Sequence, residues 1–319
     1  MSKVLFLVQK EQRVILDRLY EGVSENISTD IRWLSSKEQD DLKGYFRKNI
    51  SLENYDRVIF FLRFKKELRQ VNFIRTIPNL VILEHDAYQN YIPCKYTGKF
   101  SSYYKKLPWA RVLSSGAVVT RRLQEEGVDA VFVPKGYDQE LLCNQNKSRD
   151  IELGFVGSIK SATYSHRKEF LEQLAREEEL LVTRTNSGQE YVDTLNRIRF
   201  FVSADIGMGE YMIKNFEAMA CGCVLFAYDQ GQEENEALGF VDMHNIVLYK
   251  DIQSFKRKLK ILRADLKKTQ AIAGNGQRLV EQNYTFSQIG KLVVEALYEP
   301  LRSQPKPNYI QQIRNKLGV

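Results

Sequence analysis

The sequence predicts an α/β protein made of two doubly wound parallel-sheet domains facing each other across a cleft. Three observations predict it. Apolar runs of strand length alternate with charged amphipathic stretches along nearly the whole chain, which is the pattern of a parallel sheet covered by helices on both faces. The alternation breaks once, from Pro134 to Asp150, where turn residues and the polar run Asn144-Gln145-Asn146-Lys147-Ser148-Arg149-Asp150 take over. Finally, 319 residues that are 43% hydrophobic suffice for two cores.

Val4–Val8 reads as the first strand. Its apolar core is too short for a secretory leader and charge follows at once, so a cytoplasmic protein is expected. A helix from Glu11 to Ser24 leads to a strand at Asp30–Leu34, a helix from Ser36 to Lys48, a strand at Val58–Leu62 and a helix from Lys65 to Arg75. The strand Leu80–Leu83 then switches abruptly into Glu84-His85-Asp86-Ala87-Tyr88-Gln89-Asn90-Tyr91 at its carboxyl end. Strands at Arg111–Ser114 and Ala130–Val133 flank a helix from Gly116 to Glu126 and complete a first domain, residues 1–142. The second domain, 143–299, repeats the scheme. Its strands are Leu153–Val156, Leu180–Thr183, Phe200–Ser203, Val224–Ala227 and Ile246–Tyr249, with helices near 165–177, 188–196, 211–221, 231–238, 251–263, 265–283 and 286–297. A basic tail, 300–319, is expected to pack back on the first domain. No apolar run approaches the roughly 20 residues of a membrane-spanning helix.

The stretch Ile213–Gly222 organises the second domain. Phe216, Met219 and Ala220 recur at i, i+3 and i+4 on one buried helix face, and Gly222 ends the helix where an apolar strand begins. Glu217 is a carboxylate in a segment otherwise short of charge. Upstream, the strand ending at Ser203 runs through Asp205 into the turn Ile206-Gly207-Met208-Gly209-Glu210. Gly207 and Gly209 let backbone approach a phosphate closely, and the helix after them presents NH groups to an anion. Such a crevice outside the carboxyl ends of parallel strands is where open α/β sheets hold ligands.

Four cysteines form no C-x-x-C pair and three histidines are scattered, so neither a zinc site nor a disulfide framework is expected. No metal-ligating Asp-x-Asp motif occurs. The 47 basic residues exceed the 40 acidic ones, for a net charge of +7. That excess points to an anionic partner: a nucleoside diphosphate, a phosphorylated or lipid-linked acceptor, an acidic membrane or nucleic acid. Lys95–Arg111 interleaves aromatics with cations and suits sugar stacking, an anionic bilayer or a nucleic-acid backbone equally.

These residues resemble the glycosyltransferases of the group 1 class, which have the two-domain GT-B fold, and in particular the spore-maturation-type and bacterial surface-polysaccharide branch. Phe155-Val156-Gly157-Ser158, with Arg167 after a gap, is similar to the opening strand and phosphate-side loop of the donor domain. Asn215-Phe216-Glu217-Ala218-Met219-Ala220-Cys221-Gly222 is similar to the nucleotide-sugar helix. Asn245–Tyr249 resembles the segment closing that domain, and Ile272–Phe286 the terminal helix with its aromatic stop. His85-Asp86 matches the His-Asp step after the fourth strand, and Val133–Asp138 the hinge.

The resemblance implies that Glu217 accepts the ribose hydroxyls of a nucleoside-diphosphate sugar. Arg167 and Lys214 would hold the diphosphate, with Gly157, Ser158, Gly207, Gly209, Asn215 and Phe216 around the donor. His85 and Asp86 would serve the sugars or a proton relay. Of the two glutamates eight positions apart in the wider class, the first falls on Gly209, so that acid is missing or Glu210 replaces it through a one-residue shift. Retaining, metal-independent transfer to an acceptor hydroxyl is implied, without cofactor, in a cytoplasmic enzyme that has peripheral contact with the anionic inner membrane face as an option. Two rival readings are a nucleic-acid-binding or base-modifying protein, which no recognition motif supports, and a sugar-nucleotide epimerase of the same fold.

Overall fold

The computed structural model describes residues 3–12, 15–160 and 165–304. Its strands form two wholly parallel sheets. The first contains β1 (Lys3–Gln9), β2 (Ser28–Leu34), β3 (Arg57–Phe61), β4 (Leu80–Glu84), β5 (Arg111–Ser114) and β6 (Asp129–Phe132), in the order β2-β1-β3-β4-β5-β6. The second contains β7 (Ile151–Val156), β8 (Leu180–Thr183), β9 (Ile198–Ser203), β10 (Val224–Tyr228) and β11 (Val247–Tyr249), in the order β11-β10-β9-β7-β8. Both orders start in the middle and reverse, which puts a switch point at the carboxyl ends of β1 and β3 in one sheet and of β7 and β9 in the other.

The strands form because Val, Ile, Leu and Phe run without interruption, as a sheet buried on both faces requires. Val4–Val8 are all fully buried. Helix α1 (Asp17–Ser24) is shorter than the expected Glu11–Ser24, and Arg13 and Val14 of that span lie outside the described residues. The expected helix from Ser36 to Lys48 is two, α2 (Ser36–Asp40) and α3 (Leu42–Asn49). Asp41 divides them, because its carboxylate accepts from the Gly44 NH and so caps the second. Likewise Lys65–Arg75 divides into α4 (Phe64–Arg69) and α5 (Val71–Ile74). Helices α6 (Lys99–Tyr104) and α7 (Ala117–Glu125) complete the first domain's covering. The second domain's sheet is covered by α8 (Ser165–Leu174), α9 (Gln189–Arg197), α10 (Ile213–Ala220), α11 (Gln232–Ala237), α12 (Ile252–Ala264) and α13 (Leu266–Asn283).

In α6 and its flanks, Phe100, Tyr103, Tyr104 and Trp109 are core residues; Phe100 stacks on Phe64, Tyr103 meets Phe64 edge-on, and Tyr103 and Tyr104 pack together. The alternation of aromatics and cations there separates an inner face from an outer one, so no run of exposed rings remains for nucleic-acid bases to stack on.

The chain passes between the two sheets twice. Lys135–Tyr137 carries it over, and Tyr284–Phe286 carries it back to the last helix, α14 (Phe286–Tyr298). The crossings are hydrogen-bonded to each other: the Tyr137 NH donates to the Tyr284 carbonyl at 2.9 Å and the Phe286 NH to the Tyr137 carbonyl at 2.8 Å. Helix α14 then lies against α1. Gly22 and Gly290 face each other there, and a Cβ built on Gly290 would sit 2.3 Å from a Gly22 backbone atom. Arg57 and Arg111 donate to the carbonyls of Leu297 and Ala296 at the helix's end. The tail continues over the first domain, Arg302 donating to the Gly127 carbonyl and Gln304 to that of Arg75. Residues 305–319, including the basic stretch 309–316, lie outside the described residues.

Candidate functional site

The site is assembled from strand ends. In the second domain β7 ends at Val156, and Gly157-Ser158 follow; the Gly157 NH donates to the Thr183 carbonyl, holding the turn against β8. Strand β9 ends at Ser203 and delivers Asp205 into the turn 206–210, where Gly207 and Gly209 have φ of 73° and 74°. Both are in the left-handed region, and no neighbouring atom lies within 4 Å of where a Cβ would stand, so backbone conformation rather than crowding calls for glycine there. Gln230 spans the turn, accepting from the Gly209 NH at 2.9 Å and donating to the Asp205 carbonyl at 2.7 Å.

Helix α10 follows. Phe216 is anchored between Phe240 and Tyr284, and Gly222, with φ of 77°, closes the helix as the Gly222 and Cys223 NH groups return to the Met219 and Ala218 carbonyls. A side chain at Gly222 would strike Asn144 and Arg149. The i, i+3, i+4 face is buried as its spacing predicts, and Glu217 stands beside it with 7% of its surface exposed. One Glu217 oxygen accepts from the Tyr191 hydroxyl at 2.5 Å. The other accepts no hydrogen bond among the described residues. Burial pushes this carboxyl above its usual range, against the pull of Lys214 and Tyr191.

Lys214 reaches back to the end of β7, donating to the Val156 carbonyl at 2.6 Å with its Nζ over the Tyr191 ring. Burial lowers its pKa. Arg167 is 6% exposed and makes a network rather than a surface charge: it donates to the carbonyls of Ser158 and Ala204 and forms an ion pair with Asp205. Asp205 also accepts from Ser203 and Asn215. The Oδ1 of Asn215 is buried with no partner. The structure thus gathers Gly157, Ser158, Arg167, Lys214, Asn215 and Glu217 around the ends of β7 and β9 and the start of α10.

Glu210 stands elsewhere. It crosses to the first domain, where it is 1% exposed, paired with Lys135 at 2.5 Å and within 3.3 Å of Ser115 Oγ. Met208 follows it across and is buried in the first domain's core. Beside Lys135, the half-buried His85 leaves β4 with its Nε2 unpartnered, and enclosure together with the Lys135 charge depresses its pKa to about 3. Asp86 is exposed, and its backbone NH is held by Glu84 at 2.7 Å. His85 and Asp86 therefore belong to the first domain's wall, next to the turn that carries Glu210.

Sequence reasoning passed over four residues of this arrangement: Asp205, Tyr191, Gln230 and Lys135. Asp205 and Lys135 lay inside segments already singled out, and a charge directly after a buried strand was the available signal. For Tyr191 and Gln230, which act across long loops, no local signal existed.

Residues 141–294 match the family model described as glycosyl transferase-like. The whole architecture matches crystal structures of HepE from Anabaena. In its UDP-glucose complex the TM-score is 0.68 at 14% identity, covering 93% of this chain and 99% of that one. The chain has the two-domain GT-B fold, and its second half matches a glycosyl transferase-like family. A glycosyltransferase from Rickettsia africae has the same fold, with a TM-score of 0.61 at 12% identity over 93% of this chain and 97% of that one. A UDP-GlcNAc 2-epimerase from Neisseria meningitidis shares the architecture at a TM-score of 0.52 and 11% identity, covering 93% of this chain and 99% of that one. No curated protein sequence matches the chain. Among the described residues no helix is long and apolar enough to cross a membrane, and no group of three or more His, Cys, Asp or Glu side chains is placed to hold a metal ion.

Proposed function

We propose that this protein is a glycosyltransferase that moves a sugar from a nucleoside-diphosphate sugar to an acceptor hydroxyl in the making of a bacterial surface glycan, with retention of configuration and without a metal. The observation that carries the reading is the juxtaposition of Lys214, the Gly157-Ser158 turn and Glu217 at one switch point. There a diphosphate meets a cation and helix-end NH groups, and a ribose meets a carboxylate that has one oxygen to spare. HepE, of similar fold, has been crystallised with UDP-glucose, which supports a uridine nucleotide as the first donor to try.

Within this reading the cleavage of the donor's anomeric bond leaves negative charge on the nucleoside diphosphate. Lys214 and the NH groups of the turn and helix stabilise that charge, and the sugar passes to the acceptor oxygen while the hydroxyl proton goes to the departing diphosphate oxygen. Arg167, already neutralised by Asp205, shapes the turn that receives the phosphate. Glu217 grips the pentose. Asp86, exposed on the facing wall, and His85 beside it meet the acceptor side, while Glu210 holds the two walls together in place of contacting sugar.

The test is a panel of UDP-, GDP- and dTDP-sugars with release of nucleoside diphosphate as the readout, followed by NMR of the product's anomeric proton. Release that depends on acceptor, survives EDTA and gives the donor's own anomer supports the proposal; interconversion of two donors with no acceptor would replace it with an epimerase.

A further inference from the structure

On the first domain, outside the strand ends described above, the surface holds a basin of about 780 Å³ between α6 and α7. Lys105, Lys106 and Arg122 line it together with Asn90, Tyr91 and Ser102, and Glu126 is its one acid. Its cations are set in place rather than scattered. The Arg122 guanidinium lies 3.8 Å above the Tyr91 ring, and the Tyr91 hydroxyl is tied to Glu126 at 2.9 Å. Lys105 pairs with the same Glu126 at 3.4 Å. Among the described residues neither Lys106 nor Arg122 has an acidic partner; the basin's one ion pair is that of Lys105 with Glu126. Two unpaired cations, one of them pinned flat on a ring with its NH edges open, fit a compact multiply charged anion flanked by hydroxyl donors. No large apolar side chain is exposed around the basin, so it lacks the wedge that a bilayer-inserting surface presents.

We infer that this basin is a second anion site that takes a phosphate ester. Its place on the wall that follows His85 and Asp86 makes the phosphate of the acceptor the natural occupant, which rests on the transferase reading above; that ester can belong to a free sugar phosphate or to a lipid headgroup. The same chemistry serves both sources. Lys106 and Arg122 grip the phosphate oxygens, Lys105 shares its charge between the ligand and Glu126, and the exposed Ser102 meets an adjoining hydroxyl.

The experiment is isothermal titration of the full chain, with UDP present, using glucose 1-phosphate, with glucose as the uncharged control. A second arm uses vesicles of phosphatidylcholine with and without phosphatidic acid. The variant is Lys106→Gln combined with Arg122→Gln, both exposed side chains whose loss leaves the core untouched. The expected result is affinity for glucose 1-phosphate but not glucose, weakened about tenfold or more in the double variant with UDP affinity unchanged. Loss of phosphatidic-acid vesicle binding in the same variant assigns the headgroup as a source. Equal affinity for glucose 1-phosphate in both proteins, or its complete displacement by UDP, overturns the inference. So does vesicle binding that survives both substitutions where no glucose 1-phosphate affinity exists to be lost, since general bilayer attraction then accounts for the charge. Failure of the transferase reading looks different: UDP fails to bind either protein while the basin result stands.

Discussion

The two buried cations near the ends of β7 and β9 would divide the labour of the proposed donor site, and their partners say how. Arg167 gives its charge to Asp205 and its remaining NH groups to two carbonyls. Arg167→Ala leaves a buried carboxylate unpaired, so it is expected to lower stability by about 3–5 kcal/mol, read by urea denaturation. Lys214 has no carboxylate within ion-pair distance among the described residues, only the Val156 carbonyl. Lys214→Met is expected to cost about 10²-fold in kcat, with a melting temperature near that of the parent. The contrast matters, because equal thermal losses would put both in the scaffold. For Glu217→Gln the expectation is a loss of nucleotide affinity of about tenfold or more with little change in stability, since Tyr191 can donate to an amide oxygen as well. His85 carries a pH signature. Its pKa of about 3 lies below the ordinary 6.5, so between these values the unfolded chain binds a proton that the folded chain refuses. Stability is therefore full above pH 6.5 and declines as pH falls toward 3. Substituting His85 by Gln should flatten that acid limb of the melting profile.

Elements were the most legible scale. Strand positions follow from unbroken apolar runs, and Arg111–Ser114 and Leu180–Thr183 coincide with expectation to the residue. Helix ends were less legible, because caps are decided by single side chains: Asp41 could have sat inside one helix, yet its carboxylate satisfies the Gly44 NH and starts another. The glycine-bearing turn 206–210 between strand and helix was readable, but nothing local said that Met208 and Glu210 would dock on the opposite domain. That depends on Lys135 and Ser115, some 75 and 95 positions away in the chain. The pairing of α1 with α14 was equally hidden, since two glycines in two helices carry no pattern until they meet. Gly290→Ala puts a methyl into Gly22 backbone that cannot yield, and should destabilise by about 1–3 kcal/mol or more in equilibrium unfolding.

At the scale of the molecule the two domains are fastened by buried charge. Beside the Lys135–Glu210 pair, Glu234 at the start of α11 accepts from the Val118 NH of α7 at 3.1 Å, is fully buried, and leaves its Oε1 without a partner. Burial and the neighbouring Glu210 raise its pKa to about 7 from the usual 4.5. Here the folded chain holds the proton that the unfolded chain releases, so this carboxyl's contribution is full below pH 4.5 and is lost as pH rises through 7. Glu234→Gln keeps the group neutral; the variant should melt above the parent at pH 8, by on the order of 2 kcal/mol, and match it near pH 4.5. A constant offset at both pH values would instead assign the effect to packing.

Helix α14 sets a constraint on birth order. The surface of α1 that it covers is translated long before Phe286–Tyr298, so the nascent first lobe must wait, with an apolar flank open, until that distant helix has emerged. A gene cut after residue 142 would leave that flank permanently bare, and grafting the closing helix back onto the truncated lobe through a short linker is the repair that this architecture calls for.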